Sequence, residues 1–205
     1  MNKTNIYLLF TDTNSLLSQG IKRFTKQHYN HCSIAFDPEL EHTYRFGRKR
    51  TWNPFIGGFV HEKVQSEFFL TSTCALYTVD VTVKQKKQMM RFVQEMDRKK
   101  NQLHYNFLGL FAVLLQVEWH RDNHYFCSQF VAAVLKAADL LPLEKPLSFI
   151  TPSDLLTALE ADLYYEGSLY TYKEVFHPSN EADTVPLNPK REKTVFHSLL
   201  LNEVF

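Results

Sequence analysis

Apolar residues recur three or four positions apart in one segment of the chain, at Met89, Phe92, Val93 and Met96. This spacing puts them on one face of a helix and predicts an amphipathic helix over Gln85–Lys100. Related patterns predict helices over Thr13–Lys26, Phe107–Val117 and Phe126–Leu140, and one that begins at Thr151-Pro152. Thr151 is a typical N-cap because proline follows it and an acidic residue lies three positions on.

Short apolar or alternating runs predict strands between these helices. The runs are Ile6–Phe10, His31–Asp37, Thr43–Phe46, Phe68–Leu70 and Leu76–Val83, and Tyr164–Tyr172 is predicted as a strand or as strand, turn and strand. Proline and glycine interrupt Trp52–Gly58, which is therefore predicted to be a loop. The polar residues His177–Lys193 are predicted to form a surface arm, and the apolar end, Val195–Phe205, is expected to dock back on the protein or on a neighbour.

Length and composition describe one well-packed domain, because 205 residues with 44% hydrophobic and 14% aromatic content can bury a dense core. The 23 basic and 22 acidic residues leave a net charge of +1, so charge gives no reason to expect nucleic acid or an anionic membrane as a partner. The basic face of the 85–100 helix is accordingly interpreted as a solvated surface. We recognise no signal peptide and no apolar run long enough to cross a bilayer.

The cysteines, Cys32, Cys74 and Cys127, are odd in number and cannot form a disulfide framework. This usage favours a reducing compartment, and we predict a cytoplasmic protein. Cysteines and histidines lack the paired spacing of a zinc site, and the chain has no glycine-rich phosphate loop. No metal and no other cofactor is therefore predicted.

Cys127 is the first candidate for chemistry, because it follows a polar loop and begins an apolar predicted helix. The N–H groups and partial positive charge at a helix N-terminus favour a thiolate and can stabilise an oxyanion. A small buried hydrophobic residue is the alternative interpretation of a cysteine at this position.

A nucleophilic cysteine needs a base, and His31 stands at the mouth of an apolar predicted strand, where a base could sit. A third group should orient the imidazole. The next strand offers His42 and Tyr44 on one face and Thr43 and Arg45 on the other, and only the strand register can decide between them.

Two segments together resemble a known family. Leu16–Asp37 (LLSQGIKRFTKQHYNHCSIAFD) resembles the helix-then-strand opening of the circularly permuted NlpC-type papain-like cysteine hydrolases, whose strand starts with the catalytic histidine. Cys127–Val131 (CSQFV) resembles the nucleophile helix of this family, in which cysteine is followed by serine and then by glutamate or glutamine. The order, histidine before cysteine, is that of the permuted branch, and the lecithin:retinol acyltransferase-like enzymes share it.

The resemblance implies an α+β, circularly permuted papain-like fold, in which a mostly antiparallel sheet or small barrel packs against the nucleophile helix. It implies Cys127 as nucleophile and His31 as general base, in a catalytic domain of residues 1–176 followed by a C-terminal extension, 177–205. The implied reaction is hydrolysis or acyl transfer at an amide or ester of a peptide, a cell-wall peptide or a lipid-derived substrate. The family usually has a third polar residue on the strand after the histidine. Here no glutamate falls on the TYRF strand, and His42 and Tyr44 are the substitutes.

Two other interpretations stay open. A catalytically inactive binding or interaction protein could use the same scaffold, and the missing acidic residue and the C-terminal extension favour it. A redox sensor would use Cys32 and Cys127, although strand alternation directs the side chains of His31 and Cys32 to opposite faces. Fast alkylation of Cys127 that depends on His31 would favour the hydrolase, and a reversible crosslink would favour the sensor.

Overall fold

Six strands form one sheet in the computed structural model, which describes residues 2–12, 29, 31–50, 53–62, 72–106, 123–142 and 144–176. The strands are β1 (Lys3–Asp12), β2 (His31–Ala35), β3 (Thr43–Arg50), β4 (Asn53–His61), β5 (Thr73–Thr82) and β8 (Asp162–Ser168). Their spatial order is β4-β3-β2-β1-β5-β8, and every neighbouring pair is antiparallel. A separate parallel pair consists of β6 (His104–Tyr105) and β7 (His124–Tyr125).

Within the described residues, four α-helices accompany the sheet: α1 (Val83–Arg98), α2 (Cys127–Lys136), α3 (Pro152–Ala158) and α4 (Leu169–Phe176). The predicted α+β class with a mostly antiparallel sheet is therefore confirmed, as are the helices predicted over 85–100, over 126–140 and after Thr151. The predicted helices Thr13–Lys26 and Phe107–Val117, the strand Phe68–Leu70 and the segments His177–Lys193 and Val195–Phe205 lie outside the described residues. Of the helices within the described ranges, none has the length and apolar character needed to cross a bilayer.

Strand β1 is central and is buried on both faces, which explains its nearly continuous apolar sequence. Ile6, Leu8 and Phe10 belong to a large apolar cluster that also contains side chains of α1, α2 and α3. Leu9 belongs to a smaller cluster on the other face, together with Leu169 of α4. The helices α1 and α2 thus pack on one face of the sheet, and α4 packs on the opposite face.

Helix α1 follows β5 directly because Thr82 ends the strand and caps the helix. The Thr82 hydroxyl accepts a hydrogen bond from the Gln85 N–H at 3.2 Å, and the Gln85 Oε1 atom accepts one from the Thr82 N–H at 2.9 Å. This reciprocal capping box satisfies two backbone donors at the start of the helix. The buried residues of α1 are Met89, Val93 and Met96, and its basic residues are exposed except for the partly buried Lys86.

The loop predicted over Trp52–Gly58 is wrong from residue 53 onwards, because Asn53–His61 forms strand β4. This strand lies at the edge of the sheet, where a residue without an N–H, such as Pro54, does not interrupt a central ladder. Gly57 is required by a close approach: a Cβ atom there would lie 2.6 Å from the Cβ of Tyr105 and 2.8 Å from the carbonyl oxygen of Gly47. Here glycine marks tight strand packing and not a turn.

The prediction for Tyr164–Tyr172 is correct only in its first half. Strand β8 ends at Ser168, and residues 169–176 form helix α4. Leu169 and Tyr172, three positions apart, are both buried against the smaller apolar cluster, whereas Tyr170 is 40% exposed. The helical pattern is short, and the surrounding aromatic residues favour strands. The sequence therefore predicted a strand where the helix begins.

Candidate active site

Helix α2 begins at Cys127, directly after the parallel pair of β6 and β7. The N-cap residue, Phe126, has an extended backbone and makes no side-chain hydrogen bond to the helix. Backbone N–H groups in the first turn of a helix have no acceptor within the helix, and they carry the partial positive charge of the helix end. These groups lie next to the Cys127 thiol, where a developing anion would need them.

Two anchors fix the start of α2. Before it, β7 pairs with β6: the His104 N–H donates to the Asn123 carbonyl at 2.8 Å, and the Asn106 N–H donates to the Tyr125 carbonyl at 2.9 Å. After it, the Ser128 hydroxyl donates to the carbonyl oxygen of Ile150 at 2.6 Å. The residues on either side of Cys127 are thus held by hydrogen bonds, and the position of the thiol is defined.

Strand β2 brings His31 and Cys32 to this helix start. Cys32 and Ile34 lie in the same apolar cluster as Cys127, and Cys32 faces Phe10 across the β1–β2 ladder. Cys32 and His31 both influence the pKa of Cys127, so both side chains lie near its thiol. The structure therefore brings together the two residues predicted as nucleophile and base, which are nearly a hundred positions apart in the chain.

The pKa values of the two thiols move in opposite directions. The hydrogen bond from Cys32 holds the pKa of Cys127 well below its usual value against the effect of burial, and the hydrogen bond and positive charge of His31 add to the lowering. Burial raises the pKa of Cys32, and its hydrogen bond to Cys127 raises it further. These opposite directions favour the thiolate on Cys127 and the neutral thiol on Cys32.

His31 is the first residue of β2 and stands opposite Thr11 of β1. The His31 Nε2 atom and the Thr11 Oγ1 atom are both buried, and neither has a hydrogen-bond partner among the described residues. Buried polar atoms without partners are rare in folded proteins and concentrate at functional sites. An orienting group or a substrate could bind to the Nε2 atom of His31.

The two substitutes for a third polar residue are engaged elsewhere. His42 is exposed, and its Nδ1 atom lies 2.9 Å from the Asp37 carboxylate. Tyr44 stands opposite Ile34 on β2 and stacks on His61, with ring centroids 4.8 Å apart. Within the described part of the chain, neither side chain is recorded in contact with His31.

A buried polar cluster next to the site, formed by Ser33, Arg45 and Glu62, was not predicted from the sequence. Glu62 is 2% exposed, accepts a hydrogen bond from the Ser33 hydroxyl at 2.8 Å, and pairs with the Arg45 Nε atom at 2.7 Å. A Cβ atom on Gly47 would clash with Arg45 Nη1 and lie 3.6 Å from His31 Cε1, so the guanidinium and the imidazole border the same space. The sequence did not reveal this cluster because strand β4 was predicted to be a loop. Only the pairing of β4 with β3 places Glu62 beside Thr43 and the residues around it.

The remaining cysteine, Cys74, is separated from this site. It lies in the smaller apolar cluster on the other face of the sheet and stands opposite Thr11. Burial and the charge of Glu166 raise its pKa to about 12. Cys74 is therefore a buried neutral thiol, against which the reactivity of Cys127 can be compared.

No group of three or more His, Cys, Asp or Glu residues arranged to hold a metal ion occurs within the described ranges. Comparison with known proteins adds nothing to the site: no protein-family model and no curated protein matches the chain. The geometry and chemistry of the residues themselves carry the functional argument.

Proposed function

We propose that the protein is a cysteine hydrolase or acyltransferase of the circularly permuted papain-like type, with Cys127 as nucleophile and His31 as general base. The observation that carries this proposal is the position of the Cys127 thiol at the start of helix α2, where Cys32 and His31 both lower its pKa. A thiol with a depressed pKa, a neighbouring imidazole and the N–H donors of a helix start is the arrangement that covalent acyl transfer needs.

The proposed reaction has two halves. The Cys127 thiolate attacks the carbonyl carbon of an amide or ester, and the helix-start N–H groups stabilise the oxyanion. The protonated imidazole of His31 gives its proton to the leaving amine or alcohol, and the acyl group stays on sulfur as a thioester. His31 then removes a proton from water or another acceptor, which attacks the thioester and releases the product and the thiolate.

Aromatic residues surround Cys32. Phe10 lies next to Cys32 across the ladder, and its ring packs on Tyr29 and Tyr77, with centroids 6.4 Å and 5.7 Å away. The proposed substrate is an amide or ester of a peptide, a cell-wall peptide or a lipid-derived molecule, which is the range that the resemblance implies. We propose the cytoplasm as the site of action, because reducing surroundings preserve a reactive thiol.

Alkylation of the three cysteines tests the thiolate directly. We expect iodoacetamide at pH 6 to modify Cys127 at least about ten times faster than Cys74 in the same molecule, because only the thiolate reacts. Replacing His31→Ala should slow the modification of Cys127 and leave Cys74 unchanged. Equally slow labelling of all three cysteines, measured by peptide mass spectrometry, would favour an inactive binding protein on this scaffold.

An activated ester tests the acyl transfer. With p-nitrophenyl acetate as a generic acyl donor, we expect a burst of nitrophenol and an acetyl group on the Cys127 peptide. The variant Cys127→Ala should lose both signals while keeping its fold, and Cys74→Ala is the matched control that should keep both. Hydrolysis by Cys127→Ala at the wild-type rate would refute the mechanism.

A further inference from the structure

The buried cluster of Ser33, Arg45 and Glu62 borders the candidate active site, and the proposed mechanism gives it no role. The Ser33 hydroxyl donates to one oxygen of the Glu62 carboxylate at 2.8 Å, and Arg45 Nε lies 2.7 Å from the other oxygen. Ser33 and Glu62 are buried, and the Arg45 side chain is 13% exposed. Well-packed apolar residues often replace a buried ion pair without loss of stability. Stability alone therefore does not explain why these charges lie here.

The geometry places the Arg45 guanidinium beside the imidazole of His31. Ser33 follows His31 by two positions on β2, so strand alternation directs both side chains to the same face of the sheet. From β3, the guanidinium reaches the same place: a Cβ atom on Gly47 would clash with Arg45 Nη1 and would lie 3.6 Å from His31 Cε1. The Nη1 and Cε1 atoms are therefore within about 6 Å of each other, a distance at which like charges still repel.

The charge of Arg45 opposes what the proposed reaction requires of His31. The imidazole must carry a proton to give to the leaving group, and a guanidinium that stays charged at all relevant pH values disfavours this protonation. The carboxylate of Glu62, 2.7 Å from Arg45 Nε, supplies the compensating negative charge. This charge is also felt at the site: burial raises the pKa of Cys32, and the charge of Glu62 is among the smaller effects that raise it further.

We propose that Glu62 is a positioning residue of the proposed hydrolase, which holds the Arg45 guanidinium beside the site and balances its charge, so that His31 keeps the proton that the reaction needs. The inference rests on the proposed function and deepens it. Glu62 acts through Arg45 and touches no reacting atom. The hydrogen bond from Ser33 fixes the carboxylate in the orientation that faces the guanidinium.

The other groups around His31 do not supply this balance. Thr11 faces His31 from β1 and carries no charge. The Cys127 thiolate favours a protonated imidazole, but it loses its charge when it attacks a carbonyl, so a lasting countercharge must come from another group. Among the described residues, the titratable or charged groups recorded near the imidazole are the thiols of Cys127 on α2 and Cys32 on β2 and the pair of Arg45 on β3 and Glu62 directly after β4.

Two variants that break the same ion pair test the charge balance. Glu62→Gln leaves the Arg45 charge uncompensated beside His31, whereas Arg45→Met leaves no positive charge there. NMR of the full chain with isotope-labelled histidine follows the titration, and the signal lost in His31→Ala identifies His31. We expect the midpoint to fall by about 0.5–2 pH units in Glu62→Gln, the effect of one unit charge at about 6 Å in surroundings between protein and water. In Arg45→Met the midpoint should not fall.

The two variants separate a charge effect from a structural one, because both lose the ion pair but only one should lower the midpoint. All titrations are run in trimethylamine N-oxide, which favours the folded state. The triple variant, Ser33→Ala with Arg45→Met and Glu62→Leu, removes both charges and should titrate as wild type. The matched control Asp80→Asn breaks the exposed pair with Lys3 and should leave the midpoint unchanged.

The outcomes separate this inference from the proposed function. An unchanged midpoint of His31 in Glu62→Gln overturns the inference, and so does an equal fall in Arg45→Met. If neither single variant folds, a shifted midpoint in the triple variant overturns it and a wild-type midpoint supports it. Fast alkylation of Cys127 with an unmoved midpoint leaves the hydrolase and removes the role of Glu62. Slow alkylation with the expected shift leaves the charge balance and removes the hydrolase.

Discussion

The buried pair of Arg45 and Glu62 makes a strong prediction about stability. The variant Glu62→Gln keeps the shape of the side chain and an oxygen that can accept from Ser33, but it removes the negative charge opposite the guanidinium. Removing one partner of a buried ion pair destabilises a protein by about 3–5 kcal/mol. Because the Arg45 side chain is 13% exposed, water can offset part of the loss, and we expect about 3 kcal/mol.

Urea unfolding at pH 7 measures this loss as a lower midpoint with an unchanged slope. The matched control is Asp80→Asn, which breaks the pair between Lys3 and Asp80, whose side chains are 78% and 64% exposed. Exposed pairs contribute less than about 1 kcal/mol, so the control should unfold nearly as the wild type does.

A triple variant, Ser33→Ala with Arg45→Met and Glu62→Leu, removes all the polar groups of the cluster together. It should recover most of the stability that Glu62→Gln loses, because no charge is then buried without its partner. The reasoning is refuted if Glu62→Gln unfolds within about 1 kcal/mol of the wild type, or if the control loses as much as it does.

Two further predictions concern single elements. Gly57→Ala should destabilise the protein by about 1–3 kcal/mol, since its Cβ would lie 2.6 Å from the Tyr105 Cβ and 2.8 Å from the Gly47 carbonyl oxygen, and neither atom is the far end of a flexible side chain; wild-type stability in urea would contradict the close approach. Asp154 has a lowered pKa, because the hydrogen bonds from Lys145 and Thr151 outweigh the raising effect of burial. It should therefore contribute stability above about pH 4 that is lost as the pH falls further, and the difference between wild type and Asp154→Asn in thermal unfolding should be constant from pH 5 to 7 and shrink below pH 4. A difference that grows on acidification would show that the sign is wrong.

The parts of the fold that the sequence predicts are those whose burial pattern is local. Strand β1 is buried on both faces and helix α2 is buried almost all round, so each has an unmistakable apolar run. Cys127 and His31 became candidates because each begins an apolar run, and the resemblance to the permuted papain-like hydrolases then paired them. Their residue types, a thiol and an imidazole, then suggested the chemistry.

The parts that could not be predicted depend on contacts between distant segments. Strand β4 contains proline and two glycines, which locally indicate a turn, and only its edge position and the approach of Tyr105 make them compatible with a strand. Glu62 owes its place to the pairing of β4 with β3. The position of Cys32 near Cys127 depends on how α2 packs on β2. No sequence pattern within either element predicts that packing.

The central position of β1 has a consequence for how the protein is made. Its full length pairs with β5, and β2 lies on its other side, so residues 3–12 join the two halves of the sheet. A ribosome releases this apolar strand long before β5 exists, and the nascent chain carries an unpaired edge during that interval. Deleting the strand would separate β4-β3-β2 from β5-β8 and leave His31 and Cys32 on a fragment with no central partner.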